Sequence, residues 1–385
     1  MDPLTHTFFG ALLAETGLKR RSALATATLM VGANLPDVDV IAYAWGPDAA
    51  LGFRRGWTHG VVAMAVLPAV LTVLVLAAER WRRRRGSTDP PSEPRQVLLL
   101  STLAVLSHPL LDWLNTYGVR VLMPLDGTWF YGDALFIVDP WIWLLLGGAL
   151  FLLHSARRRA QMAWVALAAL LTAPVVLGAG PHAWAPWAWF GALAALALTR
   201  WRFGQLSPWK SRRLACGVLA TAALYAAGMV TLTAWTTGRV EAELADQGIE
   251  TVGPLMVGPD RIDSLKRLVV VPVTGAYRFG SFHPLRRPAF EIDGDRRLLE
   301  APSFEPGQAA ELVERARAAS CVHGMVGWMR YPFYRVEPAE PGAENGDAAT
   351  VYLLDARYTR GRTRGFGASS VELREDDRAL CEVGR

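Results

Sequence analysis

The sequence predicts a mainly α fold, in which a polytopic transmembrane helix bundle continues into a C-terminal soluble domain of α+β or β-rich type. Hydrophobic residues make up 52% of the 385 residues and charged residues only 19%. Soluble domains carry about 25% charged residues. The apolar residues also occur in blocks of about 20 residues, the length that a helix needs to cross the hydrocarbon core of a bilayer. Both observations favour a membrane protein.

The apolar blocks follow one another along the first 235 residues. Residues 3–18 form a short block, which predicts a half-span or a re-entrant helix. Residues 22–45 predict a span that polar residues interrupt between positions 34 and 39. Uninterrupted spans are predicted at 60–79, 97–115, 134–153, 160–179, 183–199 and 213–235.

Lys and Arg residues mark the cytoplasmic side of the predicted spans. They cluster at 19–21, 80–85, 157–159 and 200–213, so that every second connection is basic. This alternation predicts a multi-pass protein of the inner (plasma) membrane with an extracytoplasmic N-terminus and C-terminal domain. The net charge of +5 is then a topology signal, and we expect no nucleic-acid partner.

Composition divides the chain into three parts. Residues 1–155 predict a membrane-embedded domain with a polar site, 156–238 further transmembrane helices, and 239–385 an extracytoplasmic soluble domain. In the last part, residues 306–319 have the pattern of an amphipathic helix. Cys321 and Cys381 also lie there, and they could pair in an oxidising compartment. Runs typical of β-strands occur at 268–274, 288–293, 350–356 and 369–374.

Ionisable side chains inside the apolar blocks indicate the functional site. Each costs about 2.5–3.5 kcal/mol at membrane depth and is usually retained for a function or a partner. His108 and Asp112 are four residues apart and therefore share one helix face. We assign the catalytic function to this pair. The candidate metal ligands are His6, Asp37, Asp39, His59, His108, Asp112 and Asp139.

Depth in the membrane supports one common site for these residues. At the rise of an α-helix, they lie about 20–31 Å from the nearest cytoplasmic basic cluster. Five segments therefore bring their acids and imidazoles to the outer half of the bilayer. Imidazole and carboxylate donors without a nearby Cys favour a divalent metal, Zn or Mn. Hydrolysis is the natural reaction class for such a site.

Five ordered motifs then relate the chain to a known family. In this order they are DPLTHTFFGALLA, GANLPDVDVI, RRGWTHG, SHPLLDWLNTYG and GDALFIVDP, and they cover roughly residues 1–155. Together they resemble the YdjM-like family of inner-membrane proteins, which are regarded as metal-dependent hydrolases. The resemblance implies metal-ligand roles for His6, Asp37, Asp39, His59, His108 and Asp112, and also for Asp139.

Three functions are compatible with these patterns. The first is a membrane-embedded metal hydrolase whose partners are membrane lipids and whose substrate is a small molecule or a lipid, such as a phosphoester of lipid or envelope material. The second is a transporter or ion relay, since intramembrane charges mark such pathways equally well. The third is a membrane anchor that presents the C-terminal domain to a binding partner.

Overall fold

A computed structural model describes residues 1–204, 206–339, 349–360, 362–373 and 379–383. It confirms a mainly α chain with a β-rich C-terminal part. The chain divides into two compact units. The helical unit comprises Met1–Val38, Arg55–Ala234 and Gly258–Leu265. The sheet unit comprises Asp39–Arg54, Trp235–Val257 and the described residues from Lys266 onward.

The helices of the first 246 residues follow the apolar blocks. In chain order they are α1 (Pro3–Glu15), α2 (Ala25–Gly32), α3 (Pro47–Phe53), α4 (Val61–Arg84), α5 (Pro94–Trp113), α6 (Pro140–His154), α7 (Arg158–Gly178), α8 (Trp184–Phe203) and α9 (Pro208–Asp246). Among the described residues, α4, α5, α7 and α9 are long and apolar enough to cross a membrane. The expectation of a multi-pass membrane protein is therefore confirmed.

The span expected at 22–45 is not one continuous helix. Helix α2 ends at Gly32, and Leu35–Trp45 forms a 3-10 stretch. The side-chain Nδ2 of Asn34 donates to the carbonyl oxygen of Met30 at 2.9 Å and satisfies an acceptor at the end of α2. Pro36 follows and has no N–H to continue the α-helical ladder. The backbone therefore leaves the α-helical path shortly before Asp37.

The helix expected from residue 134 begins later, at Pro140. The carboxylate of Asp139 accepts hydrogen bonds from the backbone N–H groups of Trp141 at 2.9 Å and Ile142 at 3.0 Å. Asp139 is thus the N-cap of α6, and Pro140 occupies the first turn, where its missing N–H costs nothing. The resulting helix is shorter than the predicted span.

Close packing brings α1, α2 and α5 together within the helical unit. A Cβ atom at Gly10 would lie 2.5 Å from the carbonyl oxygen of Leu29, so α1 approaches the backbone of α2 at a distance that only glycine permits. A Cβ atom at Gly32 would lie 2.7 Å from the Cβ of Ala104, which has the same effect between α2 and α5. The polar residues of these helices are thereby brought within reach of one another.

The sheet unit contains two sheets among its described residues. One joins β1 (Met256–Pro259), β2 (Arg267–Val273), β3 (Ala276–Phe282) and β4 (Phe290–Arg297) in this order. The other joins β5 (Leu299–Glu300), β6 (Pro332–Pro338), β7 (Ala349–Asp355), β8 (Ala368–Leu373) and β9 (Ala379–Val383). The four predicted strand runs are confirmed as β2, β4, β7 and β8, although residue 374 lies outside the described residues.

Three short helices and a disulfide pack with the sheets in the described part of the sheet unit. The predicted amphipathic helix is α10 (Pro306–Ala318), which packs against β6, β7 and β8. Cys321 and Cys381 form a disulfide with their Cα atoms 6.2 Å apart. Helix α3 belongs to this unit because Asp48 accepts hydrogen bonds from the first backbone N–H groups of α11 (His323–Trp328), at 2.9 and 2.7 Å.

Candidate metal centre

Four of the predicted ligands converge in the helical unit. Their donor atoms all lie within 4.8 Å of one another. Asp37 comes from the 3-10 stretch after α2, and His59 comes from the turn just before α4. His108 and Asp112 project from one face of α5, as their spacing predicts. The group therefore collects side chains from three separate segments of the chain.

The separations within the group are those of ligands around one ion. The Nε2 atoms of His59 and His108 are 3.1 Å apart, and Asp112 Oδ2 lies 3.3 Å from the first and 3.4 Å from the second. Asp37 Oδ1 is 3.8 Å from His108 Nε2. Atoms bound about 2.0–2.2 Å from a tetrahedral zinc lie roughly 3.3–3.6 Å from one another. Two imidazoles and two carboxylates in this arrangement fit a divalent cation.

The histidines are oriented by contacts on their other ring nitrogens. His108 Nδ1 lies 2.6 Å from the carbonyl oxygen of Ala33, so Nδ1 carries the proton in this contact. The lone pair of a neutral His108 is then on Nε2, facing the group. His59 Nδ1 contacts Thr58 Oγ1 at 3.0 Å. Such partners fix the tautomer and the ring orientation of metal-binding histidines.

Arg55 contacts the same oxygen of Asp112 that faces the two histidines, and Asn115 in turn holds Arg55. Arg55 Nε lies 3.0 Å from Asp112 Oδ2, and Arg55 Nη1 donates to Asn115 Oδ1 at 2.9 Å. The same Asn115 oxygen accepts the backbone N–H of Tyr117 at 2.9 Å, while the Arg55 guanidinium lies 4.6 Å from the centroid of the Tyr117 ring. These contacts compensate the buried charge of Arg55 and restrict the movement of Asp112.

Sequence reasoning overlooked Arg55. Its side chain is buried and its φ is +53°, in the left-handed region that non-glycine residues adopt only with strain. Such strain concentrates at functional sites. The available signal is its position in RRGWTHG, four residues before His59, within one of the motifs that carry the candidate ligands.

His6 adjoins the group without belonging to it. Its ring stacks on that of His108 with centroids 3.9 Å apart and planes 18° apart. Its Nε2 lies 3.3 Å from Asp112 Oδ1, an oxygen that the amino nitrogen of Met1 also contacts. His6 Nδ1 is buried and has no hydrogen-bond partner among the described residues. His6 therefore faces the oxygen of Asp112 that is turned away from His59 and His108.

The remaining two predicted ligands lie elsewhere. Asp39 belongs to the sheet unit, where its Oδ1 is 3.2 Å from Nε of Arg54. Asp139 is occupied as the N-cap of α6 and also accepts a hydrogen bond from the Tyr225 hydroxyl at 3.0 Å. Neither is in the group of four. The residues that could hold one ion together are therefore Asp37, His59, His108 and Asp112, and His6 lies beside them.

The residues that form the candidate metal centre lie in the part of the chain that resembles known proteins. Residues 1–180 match the family described as "YdjM inner membrane protein". The chain is also similar to the uncharacterized protein YfhP of Bacillus subtilis (strain 168), with 23% identity over 156 residues. That similarity covers 37% of this chain and 43% of YfhP, so the match spans less than half of the relative's length. No solved structure matches the chain.

Proposed function

We propose that this chain, whose residues 1–180 match the YdjM inner membrane protein family, is an integral membrane metal-dependent hydrolase. Asp37, His59, His108 and Asp112 hold a divalent ion, Zn or Mn, on the extracytoplasmic side of the bundle. The substrate is a phosphoester of lipid or envelope material. The observation that supports this proposal most strongly is the convergence of the four donor atoms within 4.8 Å.

The chain's own residues have distinct roles in this proposal. A divalent ion in the group supplies Lewis-acid polarisation of a phosphoryl or carbonyl oxygen. His108 is held with Nε2 toward the group because Nδ1 donates to Ala33. Arg55 orients Asp112 through its 3.0 Å contact with Oδ2. The burial of His59, His108 and Asp112 excludes water from their side of the site and strengthens these electrostatic interactions.

His6 has a separate role next to the ion. Its Nε2 proton is directed at Asp112 Oδ1, which leaves the lone pair on Nδ1. That nitrogen is fully buried and lacks a hydrogen-bond partner among the described residues. An unsatisfied buried nitrogen costs about 1–3 kcal/mol, and a bound substrate group would remove that cost. We therefore assign His6 to proton handling or substrate contact beside the four proposed ligands, and the ligand role that the sequence predicts for it stays a prediction.

The ion-relay alternative rests on the same side chains. The contacts run from His6 to Asp112 and on to His59 and His108, which is a continuous series of groups that exchange protons. A relay needs no bound metal. The presence or absence of a stoichiometric ion therefore separates the two functions, and activity on a phosphoester separates the hydrolase from an anchor protein.

The test is elemental analysis of the detergent-purified protein, with His108→Ala as the variant and His182→Ala as the matched control. His182 is also buried beside two carboxylates in the helical unit. We expect about one equivalent of metal or more in the wild type and in the control, and its loss in His108→Ala. His59→Ala serves as the second variant if His108→Ala fails to fold. Hydrolysis of bis(p-nitrophenyl) phosphate should follow the metal content.

Metal absent from the wild type even after incubation with Zn or Mn would reject the hydrolase proposal in favour of the relay. Metal retained in both His108→Ala and His59→Ala would show that the ion is bound somewhere else. Full metal loading without hydrolysis of any phosphoester or carboxylic ester would leave a metal site but remove the assigned reaction.

A further inference from the structure

A groove on the helical unit reaches the metal group. It has a volume of about 510 Å³ and is formed where α1, α2 and the following 3-10 stretch meet. We call it the Asp37 groove. Its apolar wall consists of Met30, Val31, Leu35 and Val38.

The groove gives access to the site through one ligand. Asp37 lines it, and 13% of the Asp37 side chain is exposed, whereas the side chains of His59, His108 and Asp112 are fully buried. Of the four metal-group residues, only Asp37 lines the groove. A ligand that enters the groove therefore meets the metal group at its Asp37 edge.

The other polar side chains of the groove are already engaged with the protein. The hydroxyl of Thr7 donates to the carbonyl oxygen of Pro3 at 2.8 Å. The amide nitrogen of Asn34 donates to Thr7 Oγ1 at 3.0 Å and to the carbonyl oxygen of Met30 at 2.9 Å. Apart from Asp37, the groove therefore has little hydrogen-bonding capacity for a ligand, and its wall suits a hydrocarbon.

The apolar wall is also open to its surroundings. Val31 is 52% exposed and Val38 is 51% exposed. In a multi-pass membrane protein, exposed apolar residues beside a buried polar centre suit contact with lipid chains more than with water. The occupant that fits the groove is an amphiphile whose hydrocarbon chain lies on the apolar wall and whose anionic head would be held by a cation in the metal group, because the Asp37 carboxylate alone would repel an anion.

We propose that the Asp37 groove binds the alkyl or acyl chain of a phosphoester substrate, with the phosphoester directed at the metal group. This inference rests on the proposed function and specifies its substrate class as a lipid-like phosphoester. Met30, Val31, Leu35 and Val38 contact the chain, and Asp37 marks the end at which the head group is held.

A second apolar cavity provides a control for non-specific lipid binding. It has a volume of about 460 Å³, lies among α1, α6, α7 and α8, and is lined by residues such as Trp143, Trp164, Val165 and Trp189. None of the four members of the metal group lines it. A lipid chain in this cavity has no connection with the chemistry, so labelling there measures general lipid contact.

The test uses a dodecyl phosphate analogue with a diazirine at the end of its chain, applied to the full chain in vesicles of phosphatidylethanolamine and phosphatidylglycerol. After irradiation, labelled peptides are identified by mass spectrometry. We expect label within residues 30–38 that excess dodecyl phosphate suppresses and excess dodecanol does not, because retention needs the anionic head.

Val31→Trp should reduce the suppressible label at least tenfold by filling the groove, and Val38→Trp is the second variant. Val165→Trp is the matched control, since Val165 is 67% exposed and lines the other cavity. Val31 and Val38 are both exposed, so neither of the two groove substitutions disturbs a packed core. Metal content should be unchanged in all three variants.

Label at 30–38 that dodecyl phosphate does not suppress, or that persists in both Val31→Trp and Val38→Trp, would overturn the groove proposal whether or not metal is bound. Label at 30–38 that dodecanol suppresses as well as dodecyl phosphate, in a protein that binds no metal, would retain the groove as a site for a hydrocarbon chain and reject the hydrolase. The two proposals therefore fail separately.

Discussion

Two groups of histidine and aspartate in the helical unit have the same chemistry but different geometry. In the metal group, His59, His108 and Asp112 direct one atom each toward a common point, with separations of 3.1–3.4 Å. In the second group, His182 lies between Asp260 and Asp263, with Nε2 3.1 Å from one carboxylate and Nδ1 3.9 Å from the other. The two ring nitrogens face opposite directions, so no common point exists.

The carboxylates of the second group are also committed to the backbone. Asp260 accepts N–H groups from Ile262 at 2.9 Å and Asp263 at 3.2 Å, and Asp263 accepts that of Leu265 at 3.1 Å. They hold the segment 258–265 in shape and pair with the imidazole. Buried acids and imidazoles thus either converge on one point, as metal ligands do, or contact one another and the backbone as structural groups, and the direction of their donor atoms distinguishes the two.

The substitution expected to have the largest effect is Asp112→Asn. It removes a charged ligand and leaves the buried Arg55 uncompensated, which costs about 3–5 kcal/mol when one partner of a buried pair is lost. We expect a fall in metal affinity of at least about 100-fold, with a lower melting temperature. Chelator competition and thermal unfolding in detergent measure the two effects. Asp263→Asn is the control. Equal loss of metal in both variants would show that the two groups do not differ in metal binding.

Arg55→Lys should have the next largest effect. Lysine keeps the charge but cannot contact Asp112 and donate to Asn115 at the same time. Loss of a group that orients a metal ligand typically costs about 10–100-fold in metal affinity, and we expect a change in that range. The neighbouring Arg54→Lys is the matched control because Arg54 pairs with Asp39 in the sheet unit. Unchanged affinity in Arg55→Lys would show that Asp112 is positioned without it.

Asp37→Asn should have a smaller effect than the two preceding substitutions. Asp37 is the most distant and most exposed member, 3.8 Å from His108 Nε2. We expect a decrease in metal affinity of about tenfold, the low end of the range for groups that support a metal. Asp39→Asn, two residues along the chain, should leave the affinity unchanged. A larger loss with Asp39→Asn than with Asp37→Asn would reverse this assignment of ligands.

The smallest effect on the metal is expected for His182→Gln. The amide keeps one hydrogen bond to Asp260 and loses the 3.9 Å contact with Asp263, so the free energy of unfolding should fall by about 0.5–1.5 kcal/mol. Metal content and affinity should equal those of the wild type. Calorimetry of the detergent-solubilised protein and elemental analysis check the two statements, and a loss of metal in this variant would identify a second ion at His182.

The features of the fold that the sequence predicted correctly all follow from patterns among residues close together in the chain. The lengths of the apolar blocks indicated α4, α5, α7 and α9, because the thickness of a bilayer sets the length of a span. Runs rich in β-forming residues indicated four of the strands of the sheet unit, β2, β4, β7 and β8. The spacing of His108 and Asp112 put both on one face of α5. Each of these depends only on the local repeat of a helix or a strand.

The limits of the sequence appear at Asp37 and Asp39. They stand two residues apart in one motif and have the same side chain, and the sequence offers no reason to separate them. In the folded chain the division between the two units passes between Val38 and Asp39, so only Asp37 faces the metal group. The irregular backbone after α2 determines this outcome, and it depends on Asn34, Pro36 and the packing of α2 on α5.

The sequence by itself determined that this chain crosses a membrane and continues into a β-rich part. It also determined that acids and imidazoles lie at membrane depth, where their free-energy cost indicates a functional or structural role. Only the tertiary structure decided which of them share a site. Asp139 caps a helix, His182 contacts the carboxylate of Asp260, and Arg55 enters the site through a strained backbone. The physical reason is that a side chain's role depends on where its lone pairs point, and that direction is set by packing between distant segments.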